Sequence, residues 1–244
     1  MRALVLAGGR GTRLLPHTAV LPKPLVPVGE LPVMEILLRQ LAQHGIQDVI
    51  VSVGYLAGLL EAYFMDGSRL GVRVRYQHET DPRGTAGPLR LVDDMGTSEA
   101  LLVLNGDLLT DLDFRKFVET YAATAPAIQI GTYRRLEQID LGVLDVNGGG
   151  EVTGYREKPS HVYDVSMGVY IVSSQAGKLV PAEGRFDMPD LVTAALRCGQ
   201  RVTAFRHEGM WLDIGRLDDH RRATEMAAAH PALFQQPLRQ AVEP

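Results

Sequence analysis

A chain of 244 residues, 45% hydrophobic and 22% charged, has the balance of a globular protein that buries a sizeable core in one α/β domain or a domain with an elaborated edge. Its net charge of −4, from 25 basic and 29 acidic residues, argues against a nucleic-acid or membrane-surface partner but is compatible with a local basic pocket. The single cysteine, Cys198, excludes an intramolecular disulfide, and no apolar run approaches the roughly 18 residues of a membrane span.

Residues 3–7 form the first apolar run. It is too short for a secretory segment, so the cytoplasm is the expected compartment, and it reads instead as a buried strand. It ends in Gly8, Gly9 and Gly11, with Thr12 and Arg13 behind them. Glycines let backbone N–H groups approach an anion closely, and Arg10, Arg13 and Lys23 (set between Pro22 and Pro24) add positive charge. The stretch predicts a polyphosphate cradle at the carboxyl end of a first strand. The plain alternative is a strand–turn that merely needs glycines. No P-loop is present, because no Lys follows a correctly spaced Gly, and the dinucleotide fingerprint fails at Leu14.

Further along, strand and helix patterns alternate, which predicts a mostly parallel sheet covered by helices. Met34, Leu37, Leu38 and Leu41 recur at helical spacing before the stop at Gly45. Residues 48–53 are the second buried strand. Leu56, Leu59, Leu60, Tyr63 and Phe64 mark a second helical stripe, and 72–76 alternates as a strand. The segment 79–88, rich in Gly, Pro and charge, is a loop, followed by a helix to Met95. Residues 100–104 form a third buried strand running into Asn105-Gly106-Asp107. Asp113 is an N-cap for a helix carrying Phe114, Phe117, Val118 and Tyr121.

Past residue 126 strands dominate, at 127–133, 142–146, 151–156, 162–172 and 201–205, with a turn at 147–150. Asp187 caps a helix with Pro189 in its first turn, and a last helix covers 217–229. The tail, 231–244, lacks periodicity and is expected to be poorly ordered.

Two carboxylates stand out. Asp107 follows a buried strand, and ligands of open α/β sheets bind beyond the carboxyl ends of strands. Asp213 lies in Trp211-Leu212-Asp213-Ile214-Gly215. A pair of carboxylates beside a polyphosphate suits Mg²⁺, although by spacing alone either aspartate reads more readily as a helix cap. Glu157-Lys158-Pro159 reads by itself as a charged turn. The seven histidines show no metal-ligand spacing and are expected at the surface or a polar rim, and Trp211 is expected to pack beside Asp213. Ser173-Ser174 has no accompanying base.

Residues 6–18 and 22–28 match, without a gap, the pattern L-A-G-G-x-G-T-R-L-x-P-L-T followed by P-K-P-L-x-P-V, except for His17 in place of Leu. The chain thus resembles the sugar-1-phosphate nucleotidylyltransferases, or NDP-sugar pyrophosphorylases. The resemblance implies a Rossmann-like, GT-A-like α/β fold: a mostly parallel mixed sheet flanked by helices, with a smaller β-rich sugar-binding part. It implies one domain over 1–230, with a nucleotide-binding half at 1–125 and a sugar-phosphate-binding half at 126–230.

The reaction implied is sugar 1-phosphate plus NTP giving NDP-sugar and pyrophosphate, with Mg²⁺ as cofactor. By the same resemblance, Leu6, Ala7, Gly8, Gly9, Gly11, Thr12, Arg13 and Lys23 hold the nucleotide together with Gly84, Thr85, Ala86, Asn105, Gly106 and Asp107. Asp107 and Asp213 become the metal carboxylates. Arg13 faces the leaving pyrophosphate, Lys23 bridges phosphate oxygens, and Lys158 aims the attacking phosphate. Gly142, Glu157, Lys158, Ser166 and Gly168 surround the sugar phosphate, with Leu141 where an aromatic and Ser166 where an Asn is usual.

The loop Glu79-Thr80-Asp81-Pro82-Arg83-Gly84-Thr85-Ala86-Gly87-Pro88-Leu89 is closest in look to guanylyltransferases acting on mannose or heptose 1-phosphates, so GTP is the favoured base. Arg83 departs from the usual Leu. Uridylyl-, thymidylyl- or cytidylyltransferase activity on another sugar or alcohol phosphate is the alternative. A non-catalytic module that senses nucleotide-sugar is the alternative of another class. The family often assembles, so a homo-oligomer is possible.

Overall fold

The apolar runs that read as strands join into one seven-stranded sheet. The computed structural model describes residues 1–92, 100–215 and 217–231. In chain order the elements are β1 (Arg2–Leu6), β2 (Pro27–Val28), β3 (Leu31–Pro32), α1 (Val33–Gln43), β4 (Asp48–Val53), α2 (Ala57–Phe64), β5 (Arg73–His78) and β6 (Ala100–Asn105). They continue with β7 (Leu108–Thr110), α3 (Phe114–Thr124), β8 (Ile128–Gln138), β9 (Val143–Val146), β10 (Val152–Arg156), β11 (Ser160–Ser173) and α4 (Ser174–Gly177). The last are α5 (Met188–Arg197), β12 (Val202–His207), β13 (Trp211–Asp213) and α6 (Leu217–Ala229).

The main sheet has the order β12-β8-β11-β6-β1-β4-β5. All neighbours are parallel except β11, which runs against both β6 and β8. Strands from before and after residue 126 therefore share one sheet. Side chains alternate across it as period two requires. Ala3 and Val5 of β1 join Val49 and Val51 of β4 in a core beneath α1, α2 and α3, whereas Leu4 and Ile50 face the opposite core with Leu191 and Ala195 of α5. A third cluster gathers Leu14, Val28, Val33, Ile36, Leu109, Ile214, Ala223 and Ala227. It ties the glycine-rich N-terminal loop to the strand end that carries Asp213.

Several expectations need correction. The apolar stripe of α2 is half wrong: Leu60 and Phe64 are buried, but Leu59 and Tyr63 are 41% and 38% exposed, and Leu56 precedes the helix in a left-handed conformation. A short helix over the sheet's edge has one covered face, and the Tyr63 hydroxyl instead donates to Glu35 at 2.8 Å. The helix expected to reach Met95 is a 3-10 turn over Gly87–Leu91; residues 93–95 lie outside the described residues, as does the tail beyond 231. β8 and β11 are longer than their hydrophobic runs, because residues 134–138 and 160–164 pair with each other as a ribbon beyond the main sheet, where side chains on both faces are exposed.

Asp113 does cap α3, accepting from the Lys116 amide at 3.0 Å. Asp113→Ala is expected to cost about 1 kcal/mol, read as a Tm lowered by roughly 2–4 °C in a thermal melt.

Candidate active site

The ends of β1 and β6 lie side by side, with Leu6 in register with Asn105. From these ends the chain enters the glycine-rich loop and Gly106-Asp107, so both open at the carboxyl edge of the sheet. A cleft of about 720 Å³ lies there. It is lined by Leu6, Ala7, Gly8, Gly9, Gly11, Thr12, Arg13 and Lys23 from the first stretch, by Gly84 and Thr85 from the loop after β5, and by Asn105, Gly106 and Asp107.

Local geometry explains the N-terminal loop. Gly11 has φ +61°, a left-handed backbone that side chains resist, and a Cβ there would stand 3.0 Å from Thr18 and 3.1 Å from Lys23. Thr18 is buried and donates to the Gly11 carbonyl at 2.8 Å. Leu14, fully buried, anchors the far side of the loop. Among the described residues, no backbone hydrogen bond uses the amides of Gly9, Arg10 or Gly11. The loop is thus held by its carbonyls and by Leu14, leaving N–H groups for an anion.

The two aspartates meet through a small antiparallel pair. β13 lies along β7 with Asp213 opposite Leu108, and the Ile214 amide donates to the Asp107 carbonyl at 3.2 Å. Lys23 is ion-paired with Asp107, and its Nζ lies 3.7 Å from Asp213 Oδ1. Burial, and next the Asp107 carboxylate, push the Asp213 pKa above the ordinary value, against the pull of Lys23 and Arg13. One oxygen of each, Asp107 Oδ1 and Asp213 Oδ1, is buried without a hydrogen-bond partner. Orphaned carboxylate oxygens on two neighbouring aspartates fit a hard divalent cation. Among the described residues no group of three or more His, Cys, Asp or Glu side chains is suited to a metal, so the donor set fits an ion completed by phosphate oxygens and water.

The second half divides. Gly168 is buried against the side chain of Asn105, and Ser166 Oγ lies 2.7 Å from the Tyr170 hydroxyl and accepts from the Gly168 amide at 3.3 Å. Tyr170 and Asn105 line a neighbouring 350 Å³ cavity with Thr85, Arg185 and Asp187. Gly142, Glu157 and Lys158 do not line either cavity. They belong to the exposed ribbon built around β9 and β10, where Tyr155 covers Gly142 and donates to Glu157 at 2.6 Å. Lys158 has φ +43°, a strained backbone of the kind found at functional positions. Ala86 does not line the cleft; it is fully buried in the α5-side core, its amide donating to the Phe186 carbonyl.

Other cleft residues escaped the sequence analysis. Glu79 accepts from Ser52 Oγ at 2.7 Å and from the Arg83 amide at 3.2 Å, and its place at the head of the 79–89 loop was the available signal. Arg185 and Asp187 enter because Asp187 accepts from the Thr85 amide at 2.9 Å and the Met188 amide donates to Thr85 Oγ1 at 2.8 Å. Asp187 was legible only as a helix cap. His207, expected at the surface or a polar rim, is 10% exposed in its side chain and lies against Asp111.

A Rossmann-like sheet with a glycine-lined cleft at its carboxyl edge is an architecture suited to a phosphate-bearing ligand. The chain matches the nucleotidyl transferase family over residues 2–230 and belongs to that family. It is 31% identical over 241 residues to the UTP–glucose-1-phosphate uridylyltransferase of Synechocystis, covering 91% of this chain and 62% of that one. It is 32% identical over 225 residues to the mannose-1-phosphate guanylyltransferase catalytic subunit beta of Xenopus tropicalis, covering 90% and 62%. The chain thus spans 62% of the length of these curated relatives.

Among solved structures, a candidate glucose-1-phosphate thymidylyltransferase from Bacillus anthracis in complex with a sucrose superposes with TM-score 0.76 at 26% identity, over 93% of this chain and 95% of that one. HddC from Yersinia pseudotuberculosis complexed with GMP-PN gives 0.71 at 25% identity, over 92% and 98%. The expected fold class and family resemblance both stand. No described helix is long and apolar enough to cross a membrane.

Proposed function

We propose that the chain transfers a nucleotidyl group from an NTP to a sugar 1-phosphate, releasing pyrophosphate, with GTP and a mannose- or heptose-type 1-phosphate as the favoured pair. The observation that carries the reading is the meeting in one cleft of the Gly8–Thr12 backbone, Arg13, Lys23 and Asp107, with Asp213, which does not itself line the cleft, held close to Lys23 behind it and each aspartate keeping one unpartnered buried oxygen. The guanine preference draws on the 79–89 loop and on relatives named as guanylyltransferases. The uridylyltransferase of similar identity keeps UTP as the competing base.

In this reading an oxygen of the sugar phosphate forms a bond to the α-phosphorus, in line with the α–β bridging oxygen. That P–O bond breaks and its electron pair leaves on pyrophosphate. A phosphate monoester is mostly dianionic near pH 7, so no general base is needed. The work of the protein is positioning and charge stabilisation. The loop amides hold the triphosphate, Arg13 stabilises charge on the leaving pyrophosphate, and Lys23 bridges phosphate oxygens. Glu157 accepts from sugar hydroxyls and Lys158 steadies the attacking phosphate, reached from their ribbon. Asp107 and Asp213 would hold Mg²⁺, which when bound supplies positive charge against the developing charge of the phosphates.

Pyrophosphate release is measured over the four NTPs and a panel of sugar 1-phosphates. The expected result is release, strongest with GTP and a mannose- or heptose-type acceptor, and lost in excess EDTA. Strongest release with UTP and glucose 1-phosphate overturns the base and sugar reading but keeps the transfer reading. No release with any pair, together with tight NDP-sugar binding, overturns transfer in favour of a sensing module. Light scattering on the same samples reads self-association.

A further inference from the structure

The connection from β12 to β13, residues 208–210, is held more firmly than a three-residue turn requires. The Met210 carbonyl accepts from the Asp111 amide at 3.2 Å and from the Thr110 hydroxyl at 2.8 Å, and lies 3.1 Å from His207 Nε2. The Met210 amide donates to Asp111 Oδ1 at 2.6 Å, and His207 Nε2 lies 2.9 Å from that same oxygen. Both neighbours of Nε2 are acceptors, so Nε2 carries the proton and shares it between them. Gly209 lies flat on the carboxylate; a Cβ there would overlap both Asp111 oxygens.

This clasp closes one end of the β7–β13 pair. Trp211 pairs with Thr110, Leu212 with Leu109 and Asp213 with Leu108, so Asp213, and Asp107 just before β7, stand at the other end. A slip of one residue in this register would turn Asp213 to the opposite face, away from Asp107. The pair is only three residues long on each strand, so its own ladder bonds are too few to hold register against such a slip.

We propose that Asp111 and His207 are positioning residues that lock β13 onto β7 and thereby fix the separation of the Asp107 and Asp213 carboxylates for metal–nucleotide binding. The proposal rests on the reading of those two aspartates as metal ligands.

Mn²⁺ binding is counted by electron paramagnetic resonance, with GTP and separately with UTP, and no sugar phosphate present. Asp111→Ala is expected to weaken Mn²⁺ binding about tenfold or more, the usual scale for losing a residue that orients metal ligands from outside their shell. Asp111→Asn keeps an acceptor oxygen for Met210 and His207 and is expected to stay near wild type. His207→Gln, which retains a donor, should do likewise, whereas His207→Leu should not. Gly209→Ala displaces the carboxylate from the other side and is expected to reproduce the Asp111→Ala defect. Phe64→Leu, buried on α2 over β5 at the opposite edge of the sheet from β12, is the control: it lowers Tm and leaves Mn²⁺ affinity unchanged.

Wild-type Mn²⁺ affinity in Asp111→Ala or Gly209→Ala, with only Tm lowered, overturns the proposal and leaves the metal reading intact. A wild-type protein that binds no Mn²⁺ with either nucleotide removes the metal reading and the proposal together.

Discussion

Asp107→Asn is expected to lower kcat by about 10²–10³ while the protein stays folded. The side chain follows the end of β6, ion-paired with Lys23 and close enough to Asp213 to raise its pKa, and one of its oxygens is buried with no partner. An acceptor in that state contributes little to folding. Removing its charge loses the pairing with Lys23 but also relieves repulsion from Asp213. The net change in stability is therefore small, and Tm should move by no more than about 2–4 °C. Steady-state pyrophosphate release against a thermal melt separates the two effects. Near-normal turnover would remove Asp107 from the chemistry, and a collapsed Tm would make it a structural residue.

The largest expected loss of stability lies elsewhere, at Glu35 on α1. Its side chain is 1% exposed, yet it is fully partnered. Arg39 donates to Oε1 through Nε at 3.0 Å and Nη2 at 2.5 Å, while Arg69 at 3.1 Å and Tyr63 at 2.8 Å donate to Oε2. Arg69 also lies over the Tyr63 ring, 4.8 Å from its centre. The carboxylate thereby joins α1, α2 and the 3-10 turn at Ser68–Leu70. Removing one member of a buried charged network typically costs about 3–5 kcal/mol, so Glu35→Ala is expected to lower Tm by about 10 °C.

The same network sets a pH dependence. Burial raises the Glu35 pKa, but the hydrogen bonds from Tyr63, Arg39 and Arg69 outweigh it, leaving the pKa below the ordinary 4.5. A carboxyl whose pKa is depressed on folding adds stability above its unfolded value, and that stability is lost as pH falls through the folded value. The Tm gap between wild type and Glu35→Ala should be full above about pH 5 and narrow below pH 4.5. A gap that does not vary with pH would mean that packing, not charge, makes Glu35 important.

Much of the fold was legible where one short window holds the whole signal. The strand over residues 48–53 and the helix over 217–229 match β4 and α6 end to end, because the apolar core Val49–Val51 and the buried spacing of Ala223 and Ala227 each lie within one short window. Asp113 was legible as a cap because a cap acts three residues away. The α2 stripe misled because periodicity marks an apolar face without saying whether anything covers it. Ala86 sits within a cleft-forming loop but points into the core, a difference of side-chain direction that composition does not carry.

The candidate site divides in the same way. Glycines 8, 9 and 11, Arg13, Lys23 and the run from Asn105 to Asp107 are local features, and sequence alone determined that they form a basic, amide-rich edge after two buried strands. Strand period and glycine backbone freedom act between near neighbours, so no distant residue is needed to read them. Only the tertiary structure decided that Asp213 lies beside Asp107, that Asp187 holds Thr85, and that Glu157 and Lys158 ride on an exposed ribbon. Each depends on which strands pair and in what register. Register is settled by burial and hydrogen bonding summed over the whole sheet, and no single stretch of sequence contains that sum.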